Sequence, residues 1–143
     1  MIMKKLILFL LILCNCIICN AGGISKEFLT ANSWIVTYPD FRGHQIHTLT
    51  FDNYNILYWN VNFVPLNKKR SAHYEYYLTD QKPSKFDKSK IGKADSGRYL
   101  VFAYTKDIGK SDCYFVCYEE ISQDTNIIEF KDQNGQVWIL EKQ

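Results

Sequence analysis

From Ser33 onward, apolar side chains recur at every second residue, the period of a half-buried strand rather than a helix. The alternation predicts eight strands in order: Trp34 to Tyr38, Ile46 to Phe51, Asn55 to Phe63, Ala72 to Leu78, Arg98 to Thr105, Cys113 to Ile121, Asn126 to Phe130 and Gln136 to Leu140. Ten Tyr, nine Phe and three Trp reinforce it, because aromatic and β-branched residues favour a pleated surface. Asn134-Gly135, between two apolar runs, is a strong hairpin signal. Asp52 to Asn55 reads as another tight turn. Lys26 to Ala31 is long enough for one helical turn. The longest piece without strand character, Asp80 to Gly97, is polar and reads as a mobile surface loop or short helix.

Sequential antiparallel strands leave two unpaired edges unless the sheet closes. Closure into an eight-stranded up-and-down barrel removes both, and such a barrel either fills with side chains or holds one small ligand. A β-sandwich is the alternative all-β solution. Hairpin connections without long crossovers favour the barrel.

The N-terminal end carries a different signal. Lys4 and Lys5 precede an apolar run from Leu6 to Leu13, followed by the small residues Ala21, Gly22 and Gly23. This is the plan of a secretory signal peptide at residues 1–21, cut after Ala21, and the run is too short for a comfortable membrane span. Leu13-Cys14-Asn15-Cys16 also resembles a lipobox, so lipidation at Cys16 or Cys19 stays open. Either way the protein is expected to be secreted, periplasmic or envelope-bound, touching membrane only through a lipid. Residues 22–143, about 120 in number, then form a single domain. Without Lys4 and Lys5 the formal charge falls from +2 to about 0, which gives no basic field to draw nucleic acid.

Catalytic and metal chemistry find little footing. His44 and His47 stand three apart, on opposite faces of a strand, with no third ligand in view. Glu119 and Glu120 adjoin and so face opposite ways. No Gly-x-Ser-x-Gly elbow and no phosphate-cradling glycine loop occur, so neither an enzyme nor a cofactor is expected. Cys113 and Cys117, four apart on one strand, would lie about 13 Å apart. That exceeds the roughly 7 Å a disulfide allows, and both read as small apolar residues beside Phe115. Lys68-Lys69-Arg70 follows Pro65 and reads as a solvated hairpin tip, or as a contact for an anionic partner.

Period two places Trp59, Tyr74, Tyr76, Phe102, Tyr104, Phe115 and Trp138 on inward positions. They are the expected lining of a site for a small apolar ligand. Three inward tyrosines are a high polar load for a dry core, since each hydroxyl needs a partner.

Asn32-Ser33-Trp34, Leu49-Thr50-Phe51-Asp52 and the closing Asn134-Gly135-Gln136-Val137-Trp138 together resemble the lipocalin-like (calycin) group, particularly its small secreted bacterial domains. The resemblance spans most of Phe28 to Lys142, with Asn32 where the group has Gly and without the group's C-terminal helix. It implies a ligand-binding barrel with Trp34 packed across the closed end, a late cation (Lys131 or Lys142) stacked on it, and no catalytic residues. Ser96-Gly97-Arg98-Tyr99 resembles a stretch of the membrane-bound type of lysozyme inhibitor, although Leu100 stands where that family has its tyrosine. That second likeness implies an envelope protein partner gripped by residues 80–99.

Overall fold

The computed structural model describes residues 23–41 and 43–143. The export segment expected at residues 1–21, with Cys14, Cys16 and Cys19, lies outside them. Ten strands form, in chain order β1 (Ile24–Ser25), β2 (Ser33–Tyr38), β3 (Gln45–Phe51), β4 (Ile56–Phe63), β5 (Lys68–Thr79), β6 (Ser96–Gly97), β7 (Tyr99–Tyr104), β8 (Phe115–Gln123), β9 (Ile127–Lys131) and β10 (Val137–Lys142). Eight of them close into one antiparallel barrel in the order β10-β2-β3-β4-β5-β7-β8-β9. The expected all-β barrel is therefore the fold, and the sandwich is not.

Alternation along the strands fills the interior. Trp34 and Val36, Leu49 and Phe51, Leu57, Tyr76 and Leu78, Leu100 and Phe102, Tyr118, Ile128 and Phe130, and Leu140 form one buried cluster. One end is plugged. Ser25 caps the short helix α1 (Lys26–Thr30) by accepting a hydrogen bond from the Phe28 amide, which satisfies one of the free donors of its first turn. The helix buries Leu29 beneath the barrel. Trp34 is fully buried there, edge-on to Phe28 at 5.1 Å, and its indole N–H donates to the Leu29 carbonyl at 3.2 Å. Lys142 pairs directly opposite Trp34 in the β10–β2 ladder, whereas Lys131 pairs with Val137 at the other end of the barrel. Of the two candidate cations, only Lys142 has a register that brings it to Trp34.

The segment between β5 and β7, expected as a mobile surface loop or a short helix, carries a 3₁₀ turn at Lys88–Lys90 and is packed down rather than free. Phe86 and Ile91 pack on the outer wall against Tyr77, Val101 and Cys117, forming a second apolar cluster outside the barrel. Its far end, β6, pairs with β1, which ties the start of the described chain to the end of the loop. Gly97 permits this crossing: a Cβ there would lie 2.5 Å from the Thr79 nitrogen.

The basic cluster is also placed differently. Val64–Leu66 and Asn67, the latter in the left-handed region at φ 47°, make the hairpin tip. Lys68, Lys69 and Arg70 follow it as the first residues of β5. Lys68 to Glu75 all pair with β4, but β7 accompanies β5 only from Tyr74 to Thr79. Residues 68–73 thus form a strand edge, where cations discourage pairing with another sheet.

Candidate functional site

The end opposite α1 is open. Its rim consists of the β2–β3, β4–β5, β7–β8 and β9–β10 connections. Inside it lies a cleft of about 350 Å³, within the range of small-molecule sites. Trp59, Tyr74, Phe102, Tyr104 and Trp138, all expected as lining, meet there from β4, β5, β7 and β10. Their rings form a continuous box. Trp59 meets Trp138 edge-on at 5.7 Å, and Tyr74 meets Phe102 edge-on at 5.4 Å. Tyr118 adds a wall 5.5 Å from Trp138 and 5.2 Å from Phe102.

Two expected lining residues lie elsewhere. Phe115 is on the outer face of β8, in the cluster under residues 80–97. The row facing the interior is Val116, Tyr118 and Glu120. Tyr76 faces inward but sits deep, at the plugged end, where its hydroxyl donates to the Asp52 carbonyl at 3.0 Å. Asp52 also organises the β3–β4 turn, its Oδ1 accepting from the Tyr54 and Ile56 amides. Of the two cysteines expected as small apolar residues beside Phe115, Cys117 is packed with it and Cys113 is only half-buried. Cys113 precedes β8, and Cys117 is buried in the outer cluster, where burial pushes its thiol up to about 11 and makes it a poor nucleophile.

The polar groups of the cleft divide into those already partnered and those that open into it. Asp132 accepts from the Asn134 and Gln136 amides through Oδ1 and from the Trp138 indole through Oδ2, at 2.9 to 3.0 Å. The turn therefore locks a tryptophan beside its own carboxylate. Tyr74, Tyr104 and Tyr118 bring their hydroxyls to the cleft rather than burying them, since the one buried side-chain polar atom without a partner among the described residues is Asn62 Oδ1 on β4. Burial raises the Tyr74 and Tyr118 pKa values above the ordinary phenol value, with the Asp132 carboxylate adding to the rise at Tyr118. Those two phenols therefore stay neutral donors and acceptors at physiological pH.

Gln133 closes the side of the cleft. The β8–β9 ladder stops at Glu119 opposite Lys131, and beyond it the two strands part. The Gln133 amide bridges the gap, its Oε1 accepting from the Cys117 amide at 3.0 Å and its Nε2 donating to the Phe115 carbonyl at 2.8 Å.

His47 supports the box from below. It is nearly buried, with Phe41 stacked on its ring at 3.7 Å. The Trp59 indole N–H donates to Nδ1 at 2.9 Å, so the proton is on Nε2, which donates to Gln45 Oε1 at 3.0 Å. This fixes the neutral imidazole, and burial lowers its pKa below 6.5. The unfolded chain takes up this proton near pH 6.5 and the folded chain only at lower pH, so stability is retained above that value and lost as pH falls below it. Urea midpoints at about pH 7.5 and about pH 5.5 should show the decline in the wild type and a smaller one in His47→Gln. Equal slopes would refute this role. No signal in the sequence marked His47 as the support of Trp59, because a lone inward histidine has no motif.

Among the described residues, no three His, Cys, Asp or Glu side chains gather closely enough to hold a metal ion. The cleft presents aromatic rings and hydrogen-bonding groups. The chain matches no protein-family model, no curated protein and no solved structure.

Proposed function

We propose that the protein is an exported barrel that binds a small, largely apolar molecule in the open-end cleft. The observation that carries this reading is the pairing of an aromatic box with three tyrosines that line the same cleft and leave their hydroxyls accessible in it. A core designed only to be filled would bury and satisfy such hydroxyls, as it does that of the deep Tyr76. Binding rather than catalysis fits a site made of rings, phenols and a carboxylate already held in a turn. A grip on a protein partner through residues 80–99 has less support, since the apolar side chains of that segment are packed on the barrel wall.

N-phenyl-1-naphthylamine, a neutral apolar fluorophore, should bind the purified protein saturably and quench its tryptophan emission. Val116→Trp, which extends a ring into the cleft, should weaken that binding by about tenfold or more without lowering the unfolding midpoint by more than a few degrees. A linear, unsaturable signal, or equal affinity in the variant, would overturn the reading.

Export rests on Lys4-Lys5 and the apolar run that follows. Intact-mass measurement of native protein should give either a chain starting at Gly22 or one carrying lipid on Cys16 or Cys19. A chain that retains Met1 to Ala21 would contradict export by cleavage.

A further inference from the structure

The ring box has a charge preference. Resting on the small-ligand reading above, we propose that the cleft selects an organic cation: a protonated or quaternary amine carried on a ring or a short apolar chain. Asp107 and Asp132 both line the cleft, and no described Lys, Arg or His does. The nearby cations are otherwise engaged. Lys110 pairs with Asp107 at 2.8 Å, and Arg70 lies over the Phe63 ring at 5.7 Å, along a neighbouring groove.

Geometry reinforces the sign. Asp132 Oδ2 carries a single hydrogen bond, from the Trp138 indole, so one acceptor site remains beside the aromatic wall. Trp59, Trp138 and Tyr118 line the same space, and an aromatic face offers a cation the negative side of its quadrupole. Tyr118 also lines the cleft, where its hydroxyl oxygen can accept a hydrogen bond. An ammonium N–H supplies one. A carboxylate or phosphate would instead face the Asp132 carboxylate, which has no cation paired to it in the cleft, and the electron-rich rings in a partly dehydrated space. The near-neutral charge expected of the exported chain makes this a local preference rather than a property of the whole surface.

The test uses three molecules with the same ring and two-carbon chain: phenethylamine, 2-phenylethanol and phenylacetate. Each is titrated against the complex with N-phenyl-1-naphthylamine, and displacement is read by fluorescence. The amine should displace the fluorophore at about threefold lower concentration than the alcohol and about tenfold lower than the acid. Raising salt from about 50 to about 500 mM should narrow the spread. Asp132→Asn keeps an oxygen for the turn and should bring the amine towards the alcohol. The wild-type order alone decides the matter if that variant misfolds. Displacement by phenylacetate at or below the amine concentration, or no displacement by amine at about 10 mM, overturns the cation proposal while the fluorophore still binds. Failure of the fluorophore itself to bind overturns the small-ligand reading instead.

Discussion

Trp34→Ala is expected to lower the unfolding free energy by about 3–5 kcal/mol, a large share of what a domain of this size possesses. Trp34 is the largest side chain buried to 0 % exposure, and it fills the space between α1 and the barrel floor. Alanine would leave a cavity bounded by Phe28 and Leu29 and would orphan the Leu29 carbonyl that now accepts the indole N–H. Trp34→Phe separates the two effects, since it keeps most of the ring and loses only the donor, at about 1–2 kcal/mol. Equilibrium urea unfolding measures both. A loss below about 1 kcal/mol in the alanine variant would mean that the plug is not part of the cooperative unit. The open-end cleft lies at the other end of the barrel, so probe affinity should persist at temperatures where the variant remains folded.

Gly97→Ala is the second large effect, expected at about 2–3 kcal/mol for a single added methyl group. A Cβ at this position meets the Thr79 nitrogen at 2.5 Å and its carbonyl carbon and oxygen at 2.7 Å. These are backbone atoms of the last residue of β5, which cannot swing aside as a flexible side chain would. The strand must shift, and β6 with it, which loosens the pairing of Ile24 with Gly97. Limited proteolysis should therefore cut within residues 80–97 faster in the variant, alongside a lower unfolding midpoint. An unchanged midpoint with unchanged cleavage would show that β1 and β6 pair without the close approach.

Much of this was legible in the alternation of side chains. Period two assigns the faces of Trp59 and Trp138 correctly because polar residues such as Asn60 and Glu141 mark the wet face of their strands; Tyr74, Phe102 and Tyr104 also face inward, although Tyr77 and Val101 keep the outer faces of β5 and β7 dry. Period two fails at Phe115 for a physical reason. Residues 80–97 cover the outer wall of β8, so Phe115 and Cys117 are apolar on one face while Val116 and Tyr118 are apolar on the other. With both faces dry, periodicity no longer says which one points in. Tyr76 shows a different limit: alternation reports the face of a residue but not its depth along a tilted strand. Lys68 to Arg70 look like a turn because three cations seldom begin a strand. They do so here because β5 outruns its neighbour β7 and its first residues remain in water. Tyr118 escaped notice as lining because the row it belongs to ends in Glu120, a polar residue whose burial raises its carboxyl above the usual range.

The Gln133 bridge bears on how such a protein can change. Backbone ladders close the barrel, so its bore is set by strand number and stagger. At the parted end of β8 and β9 the wall is completed by one amide side chain. The aperture there depends on a replaceable residue rather than on the scaffold. Substitutions at this one position would retune which shapes are admitted while every strand keeps its register, so a new specificity can evolve without passing through an unstable intermediate.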